Sequence, residues 1–463
     1  MFVLARTAAL QALVQVTSAQ AIVDSAAQAR QSFRAASRAT TTRETLSHLV
    51  RATQVWPTQP AYWSAAARVG ARLSDTTVVR DAIESLARMH AGAVLSTDSA
   101  VQRMAHHPSI ARALQRLARS TAPITAGRGV ATLPDTTVFA EGVDADPRTD
   151  ALYVASIKHR TIYEIRADGV IRDLRLSGDA RIGSVLGVRV APDGRTLYAT
   201  TAGLPVMDQY VAADSSIAAI LRIRIADGRV EARWDVATDG TRHLLGDLAV
   251  TSHGEVYASD SYAPALYRLR PGADSLESLH HPLFRSLQGI APIPGQSRLI
   301  VADYSHGLLR VNLATNTVTR IADVPGTTSL GIDGIVWQRG GIIAVQNGME
   351  PARIARFTLD GTQARVVRVD DLDRQPTVAD EPTIGTLWRG GFVYVANSQW
   401  EKFDDDQRRP GTTLTPTRLL CVPLTRTPSR PHTTGVAARN GNRSTASAPP
   451  SARTCRVSAA ASP

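Results

Sequence analysis

The apolar positions of the chain follow two rhythms, and the change falls near residue 126. In "QPAYWSAAARVGARLSDTTVVRDAIESLARM" (59–89), Trp63, Ala67, Val69 and Leu73 form one face, and Ala82, Ile83, Leu86 and Ala87 form a second. That spacing predicts two antiparallel helices. Ser74-Asp75 interrupts the pattern, and Thr76-Thr77 is placed to cap the second helix. From residue 128 onward the rhythm shortens. Runs rich in Val, Ile and Tyr alternate with turns that hold Gly, Pro, Asp or Asn. These predict short strands.

The strand pattern repeats. "EGVDADP", "LGVRVAPDGRTLYATT", "GDLAVTSHGEVYASDS", "QGIAPIPGQSRLIVADY", "DGIVWQRGGIIAVQN" and "TIGTLWRGGFVYVANS" each open with a short strand, turn, and enter a second strand. Third and fourth strands follow in stretches such as "RTIYEIRADGVIRDL" and "RIARFTLDGTQARVV", and the last copy ends in "TRLLCVPL". The turns "ADG", "LDG" and "ATN" supply the Gly and Asn that tight hairpins need. Six in-phase copies of a four-stranded meander predict a mainly β fold, a six-bladed β-propeller over 126–425. A small α-helical domain over 22–125 precedes it. The stretch 26–60 has the same shape as 59–89 and ends near Trp56-Pro57. The spacing resembles one or two degenerate tetratricopeptide repeats, which implies a module for partner binding. A plain helical bundle is the competing reading.

The ends of the chain carry different compositions. The first 21 residues are apolar at their centre and close on Ala19-Gln20-Ala21, a cleavage pattern of secretory signals. This reading places the protein outside the cytoplasm, secreted or periplasmic. A ragged first amphipathic helix of a cytoplasmic protein is the alternative. Residues 426–463 are rich in Ser, Thr, Pro, Ala and Arg and predict a disordered tail. Cys421 lies in the apolar run "RLLCVPL" and reads as a buried small hydrophobe; Cys455 falls in the tail. The reading favours two separate cysteines over a disulfide.

The net charge of +11 suggests a polyanion binder until it is located. Residues 22–125 hold thirteen arginines against six acids, and 426–463 hold six arginines and no acid. Residues 126–425 are left net negative, and basic residues do not interleave with aromatics. No nucleic-acid groove is expected. No apolar window reaches the length of a membrane span. G-x-S-x-G, G-x-G-x-x-G and P-loop patterns are absent.

In a propeller the first strand of each blade lines the central channel. The register just before the blade glycine reads Glu141, Leu186, Gly246, Gln288, Asp333 and then Thr383 or Ile384. Two carboxylates and an amide converge there, and Asp247 stands one place beyond Gly246. Oxygen donors without His or Cys suit a hard divalent cation, Ca²⁺ first and Mg²⁺ second. A wet channel in which these groups bind only water is the bland alternative. Arg189, Lys158 and His159 are expected near the channel mouth, where they would hold an acidic or sugar-like substrate. Asn347 and Asn397 end strands in blades five and six and face the same mouth or cap turns.

The stretches "FAEGVDADPRTDALYVASIKHRTIYEI", "QGIA…LIVADY" and "IDGIVW" resemble the senescence marker protein/gluconolactonase (regucalcin-like) family. They are also similar to strictosidine-synthase-like relatives. The resemblance covers roughly 135–425. It implies a divalent metal held by Glu141, by Gln288 in place of an Asn, and by Asp333. A further family position is Gly246 here, with Asp247 adjacent. The family's activity implies hydrolysis of a lactone or ester, with the metal polarising the carbonyl and Asp333 as the catalytic residue that activates water. The competing function is a non-catalytic propeller that binds a small ligand or a protein, with the helical domain as interaction module.

Overall fold

The computed structural model describes residues 2–374, 380–404, 407–424 and 454–455, with side chains from Ala19 onward, that of Gln407 apart. Among them six α-helices lie ahead of the strands: α1 (Phe2–Ala36), α2 (Thr42–Val55), α3 (Pro60–Arg72), α4 (Thr76–Met89), α5 (Ser99–Arg103) and α6 (Pro108–Ser120). Proline opens α3, where its missing N–H costs nothing. The turn before α4 differs from the expectation. Asp75, and not Thr76 or Thr77, is the cap, and its carboxylate accepts the Val78 N–H at 3.0 Å. Ser74 takes a left-handed φ of 56° to bring Asp75 into place. Ile83, Leu86, Ile110 and Leu117 form the centre of the helical core.

The strands form six four-stranded antiparallel sheets. Their inner strands are Ala140–Ala145, Ser184–Val190, Leu245–Val250, Leu287–Pro292, Ile332–Gln338 and Gly385–Trp388, and each touches the next around a closed ring. The architecture is the expected six-bladed propeller. Second strands such as Leu152–Ser156 and Gly391–Val395 are buried along their whole length, because both faces meet a neighbouring blade. Outermost strands such as Ile171–Asp173 face solvent, which is why they read as polar. Gly169, Gly228 and Asn316 take the left-handed hairpin positions foreseen for them. In "LDGTQ" that position falls on Gln363 instead of Gly361.

Blade six is assembled from both ends of the propeller sequence. Its sheet order is Arg128–Thr132, Arg418–Pro423, Gly391–Val395, Gly385–Trp388. Arg128 pairs with Cys421 and Thr132 with Arg418. This pairing closes the ring with backbone hydrogen bonds and leaves no open junction between first and last blade.

A covalent bond lies against the same sheet. Cys421 and Cys455 form a disulfide, which corrects the expectation of separate cysteines. Cys455 is buried with Val393, Leu419 and Trp388. A Cβ on Gly391 would sit 2.4 Å from Cys455 Sγ, so glycine leaves the space the bridge occupies. Sequence composition gave no hint of this return, because the stretch around Cys455 is rich in polar and small residues. Most of the tail foreseen as disordered lies outside the described residues.

The helical domain packs on blades four and five. Ala19, Ile22 and Val23 of α1 join Leu283, Phe284 and other residues of blade four. The Ala19-Gln20-Ala21 pattern therefore sits inside a continuous helix, with Ala19 against the propeller. Met349 of blade five enters the helical core. Gly92 N–H donates to the Glu350 carbonyl at 2.7 Å, and His90 Nδ1 lies 2.8 Å from Asp371 Oδ2.

The disulfide spans a sequence separation of 34 residues. Closing a loop of that size stabilises a fold by about 3–4 kcal/mol in the chain-entropy account. Cys455→Ser, or truncation after Leu424, should lower the melting temperature by several degrees in calorimetry without reductant. Under strong reductant the variant and the wild type should melt together. Equal melting temperatures without reductant would remove any structural role for the bridge.

Candidate active site at the propeller axis

The axial site begins with a packing restriction. The inner strands carry register shifts at Ala140/Val143, Val185/Val188, Leu245/Asp247, Leu287/Ile290 and Ile332/Ile335. These bulges fall on the blade register read from the sequence. A Cβ on Gly142 would lie 2.4 Å from Leu186 O, one on Gly289 2.6 Å from Asp333 O, and one on Gly334 2.7 Å from Ile384 Cα. At these positions the backbone of the next blade occupies the place of a side chain, and only glycine fits. The residue before each glycine then carries the side chain of that step: Glu141, Leu186, Gln288 and Asp333.

Glu141 and Asp333 are both deeply buried. Burial raises the Glu141 pKa well above the ordinary carboxyl range, and the Asp333 charge adds to it. Burial likewise raises Asp333, and Asp247 and Glu381 add to it against a hydrogen bond from Asn347. The two carboxyls therefore act on one another electrostatically. Trp400 Nε1 donates to Glu141 Oε2 at 2.7 Å. The indole stands edge-on against Phe139 at 4.8 Å, and Phe139 stacks on Phe403 at 5.1 Å. Leu186, Leu204 and Val206 continue this apolar wall.

The opposite wall is polar. Asn347 Nδ2 donates to Asp333 Oδ2 at 2.8 Å and to Pro382 O at 2.9 Å. Its Oδ1 accepts the Tyr304 hydroxyl at 3.1 Å. Burial and the nearby Asp333 carboxyl keep the Tyr304 phenol protonated. Asn347 is thus fixed in one orientation from three sides. Glu381 joins this wall, with its pKa raised to about 7 chiefly by burial. Its backbone is held at a left-handed φ of 59°, and its Oε2 accepts the Glu401 N–H at 3.0 Å. Beside them opens a cleft of about 520 Å³, lined by Tyr304, Asn347 and Glu381 on the propeller and by Pro60, Gly92 and Val94 on the helical domain.

The other sequence-selected residues fall elsewhere. Asp247 stands where the other blades have glycine, and it is already paired, although burial still raises its pKa against the pull of Arg189. Arg189 Nη2 lies 3.0 Å and 3.2 Å from its two oxygens, and the Leu248 and Ile290 N–H groups donate to it at 2.8 and 3.3 Å. This buried pair removes Asp247 from the donors free for a cation. It also removes Arg189 as a free cation at the mouth. Gln288 Nε2 donates to Ser286 Oγ at 3.4 Å, which leaves Oε1 as its donor atom for a ligand. Lys158 and His159 lie in the blade-one loop equivalent to those of Tyr304 and Asn347. Lys158 pairs with Asp208 at 2.7 Å, and His159 is set between Tyr163 and Thr137 at 2.8 and 3.0 Å. Asn397 is spent on local structure: it donates to Thr415 Oγ1 and Pro416 O at 3.0 Å and accepts Arg418 N–H at 2.8 Å.

Tyr304, Glu381 and Trp400 were not foreseen. Each lies in a loop beyond a strand end, and the blade register does not count loops. The stretch "VANSQW" did draw notice, for Asn397; the ring that reaches the axis is Trp400. Among the described residues no group of three His, Cys, Asp or Glu side chains is placed to hold a metal ion. The oxygen set at the axis is two carboxylates and one amide.

No family model matches the chain, and no curated protein matches it. Solved structures similar to it include a gluconolactonase from Xanthomonas campestris, at 17% identity and a TM-score of 0.44 over 66% of this chain and 93% of that one. Virginiamycin B lyase from Staphylococcus aureus aligns at 14% identity and 0.41, over 58% and 80%. A chain of a nidogen/laminin complex aligns at 14% and 0.36, over 50% and 79%.

The raised carboxyls fix the sign of a pH effect. The folded chain holds the Glu381 proton up to about pH 7, whereas the unfolded chain releases it near the ordinary value of 4.5. Protons bound in excess by the folded state stabilise it at low pH, and this stability is lost as pH rises through about 4.5–7. The full difference is on the order of 3 kcal/mol. Glu381→Gln should therefore gain melting temperature relative to wild type as the pH goes from 5 to 8. A difference that does not change with pH would show Glu381 to titrate normally.

Proposed function

We propose that the axial site is that of a divalent-metal-dependent hydrolase of a lactone or ester. One observation carries this reading: Glu141 and Asp333 are both buried, the charge of Asp333 helps raise the Glu141 pKa, and among the described residues neither forms an ion pair. Two such carboxyls need a proton or a cation between them. The Arg189–Asp247 pair nearby is the contrast, since there the chain supplies its own counter-charge. Glu141, Asp333 and Gln288 Oε1 offer hard oxygen donors, which fit Ca²⁺ or Mg²⁺ completed by water. When bound, such an ion polarises a substrate carbonyl.

The remaining chemistry belongs to the chain. Trp400 orients Glu141, and Asn347 holds Asp333 through its Oδ2. Asp333 is the carboxylate that would take a proton from water. The water oxygen forms a bond to the carbonyl carbon, and its proton passes to Asp333. The carbon–oxygen bond of the ester then breaks, and the departing oxygen takes the proton back. The balance is one water added and a hydroxy acid formed. The apolar wall of Leu186, Phe139 and Trp400 limits competing water. The cleft walled by Pro60, Gly92 and Val94 gives a small molecule its approach.

The second reading, a non-catalytic binding propeller, is favoured by the loss of Asp247 to Arg189 and by Gln288 in place of a shorter amide. An exported location fits the disulfide, which persists in oxidising compartments. The two functions separate in one experiment. Calorimetric titration of metal-free protein with Ca²⁺ and Mg²⁺ should show one saturable site, lost in Asp333→Asn and weakened at least tenfold in Glu141→Gln. A panel of neutral lactones should be hydrolysed by the metal-loaded wild type, with kcat down at least a hundredfold in Asp333→Asn. Metal binding without hydrolysis would leave the binding propeller. No metal binding would overturn the metal site.

A further inference from the structure

A second cavity shares no lining residue with the axial site. It measures about 640 Å³ and runs between α1, α2 and the loop that leads into blade four. Arg30, Arg34 and Arg38 line it from α1. Residues four apart share a helix face, so the three guanidinium groups form a row with steps of about 6 Å. Arg285 faces them from the propeller, and His48 from α2. The loop under Arg285 is held in place, because its N–H donates to Asp303 Oδ2 at 2.6 Å.

The row has little to neutralise it. Among the described residues none of the four arginines forms an ion pair. Glu44 is the one acid in the lining, and its Oε2 accepts the Thr40 N–H at 3.2 Å while its Oε1 lies 3.9 Å from His48. Asp303 lies behind the row, but its oxygens take the N–H groups of Arg285, Ser286, Ser305 and His306. Like charges four apart on a helix destabilise it by about 0.2–0.5 kcal/mol a pair. The fold adds Arg285 to that row from a separate domain. Partial burial of Arg30, with Arg285 beside it, lowers its pKa. Most other arginines of the propeller sit in pairs, such as Arg268 with Glu255 or Arg233 with Asp179.

We propose that this groove binds a compact oligoanion, a small molecule with three or more negative charges on phosphate or carboxylate groups, held between α1 and the loop before blade four. Guanidinium forks match both groups in a bidentate geometry. The volume is that of a small-molecule site. A single phosphate reaches one step of the row, whereas a chain of charges reaches two or three and also Arg285. The ligand would bridge the helical domain and the propeller. The groove is separate from the axial site and does not depend on its function.

The test uses the full chain in buffer freed of metal on chelating resin, at constant ionic strength. Tripolyphosphate and citrate are the two probes, and sulfate is the single-anion control. Melting temperature and calorimetry should show saturable binding of at least one probe, tighter than sulfate by tenfold or more. Binding of tripolyphosphate alone assigns phosphate; binding of citrate alone assigns carboxylate; binding of both assigns charge number. The double variant Arg34→Gln/Arg38→Gln and the single variant Arg285→Gln should each weaken binding at least tenfold. Arg103→Gln, on the same domain but outside the groove, should leave it unchanged. The altered arginines are exposed, so the unliganded variants should keep the wild-type circular dichroism spectrum. Absence of saturable binding of both probes, or equal binding by the arginine variants, overturns the proposal.

Discussion

The constraint on which the structure rests is the crowding of inner strands around the propeller axis. Backbone meets backbone there so closely that a single Cβ cannot be added at Gly142, Gly289 or Gly334. The bulges absorb the crowding by giving each of the first five blades one extra residue. They also turn the residue before the glycine into the one side chain that this step offers the channel. The site is a by-product of closure: a ring that must narrow to glycine leaves its neighbours as the lining.

Blade three shows what happens when the order is reversed. Gly246 comes first and Asp247 takes the crowded place, where its Cα lies 3.0 Å from a Cβ built on Gly187. A carboxylate there is enclosed by protein and needs a counter-charge from the chain. Arg189 supplies it from blade two. Glu141 and Asp333 lie at the preceding position and, among the described residues, have no such partner. The same chemical group is thus structural in one blade and available in two others, and a shift of one residue decides between them. Around the axis the walls also differ: Leu186 and the edge-on Phe139–Trp400 pair on one side, Asn347, Tyr304 and Glu381 on the other. The apolar side sharpens the electrostatics of the carboxyls beside it.

Much of this was legible in the sequence, because the blade repeat is periodic and the axis is one register of that repeat. Glu141, Gln288 and Asp333 could be named by counting from the glycines. Counting fails in three kinds of place. Loops have no register, so Tyr304, Glu381 and Trp400 were missed, and Asn397 was left open between the mouth and a turn cap, where it braces Arg418. Charge pairing is a three-dimensional property, so Arg189 and Asp247 were read as two free groups. Closure depends on partners far apart in the chain, so neither the strand at Arg128–Thr132 in blade six nor the Cys421–Cys455 bridge was visible in local composition. The α4 cap failed for a smaller reason: Asp75 and Thr76 are both good caps, and the left-handed turn at Ser74 selects the first.

The helical domain is joined to the axis by more than contact. Met89 O, at the end of α4, accepts Arg353 Nη1 at 3.4 Å. Arg353 Nε donates to Gln346 Oε1 at 2.8 Å, and Gln346 Nε2 donates to Leu330 O at 2.7 Å. Leu330 stands three residues before Asp333, and Gln346 directly precedes Asn347, the amide that orients it. Asp371 anchors the outer end of this chain, where it meets His90, Arg353 and Arg374. All of these groups are in blade five except the helical ones. Arg353 Nη2 is buried without a partner, but the other links hold the chain in place, since breaking any of them costs the desolvation of a polar group. The helices that wall the cleft are therefore set in position by the same blade that holds Asp333. The width of the cleft and the orientation of Asp333 are both tied to blade five.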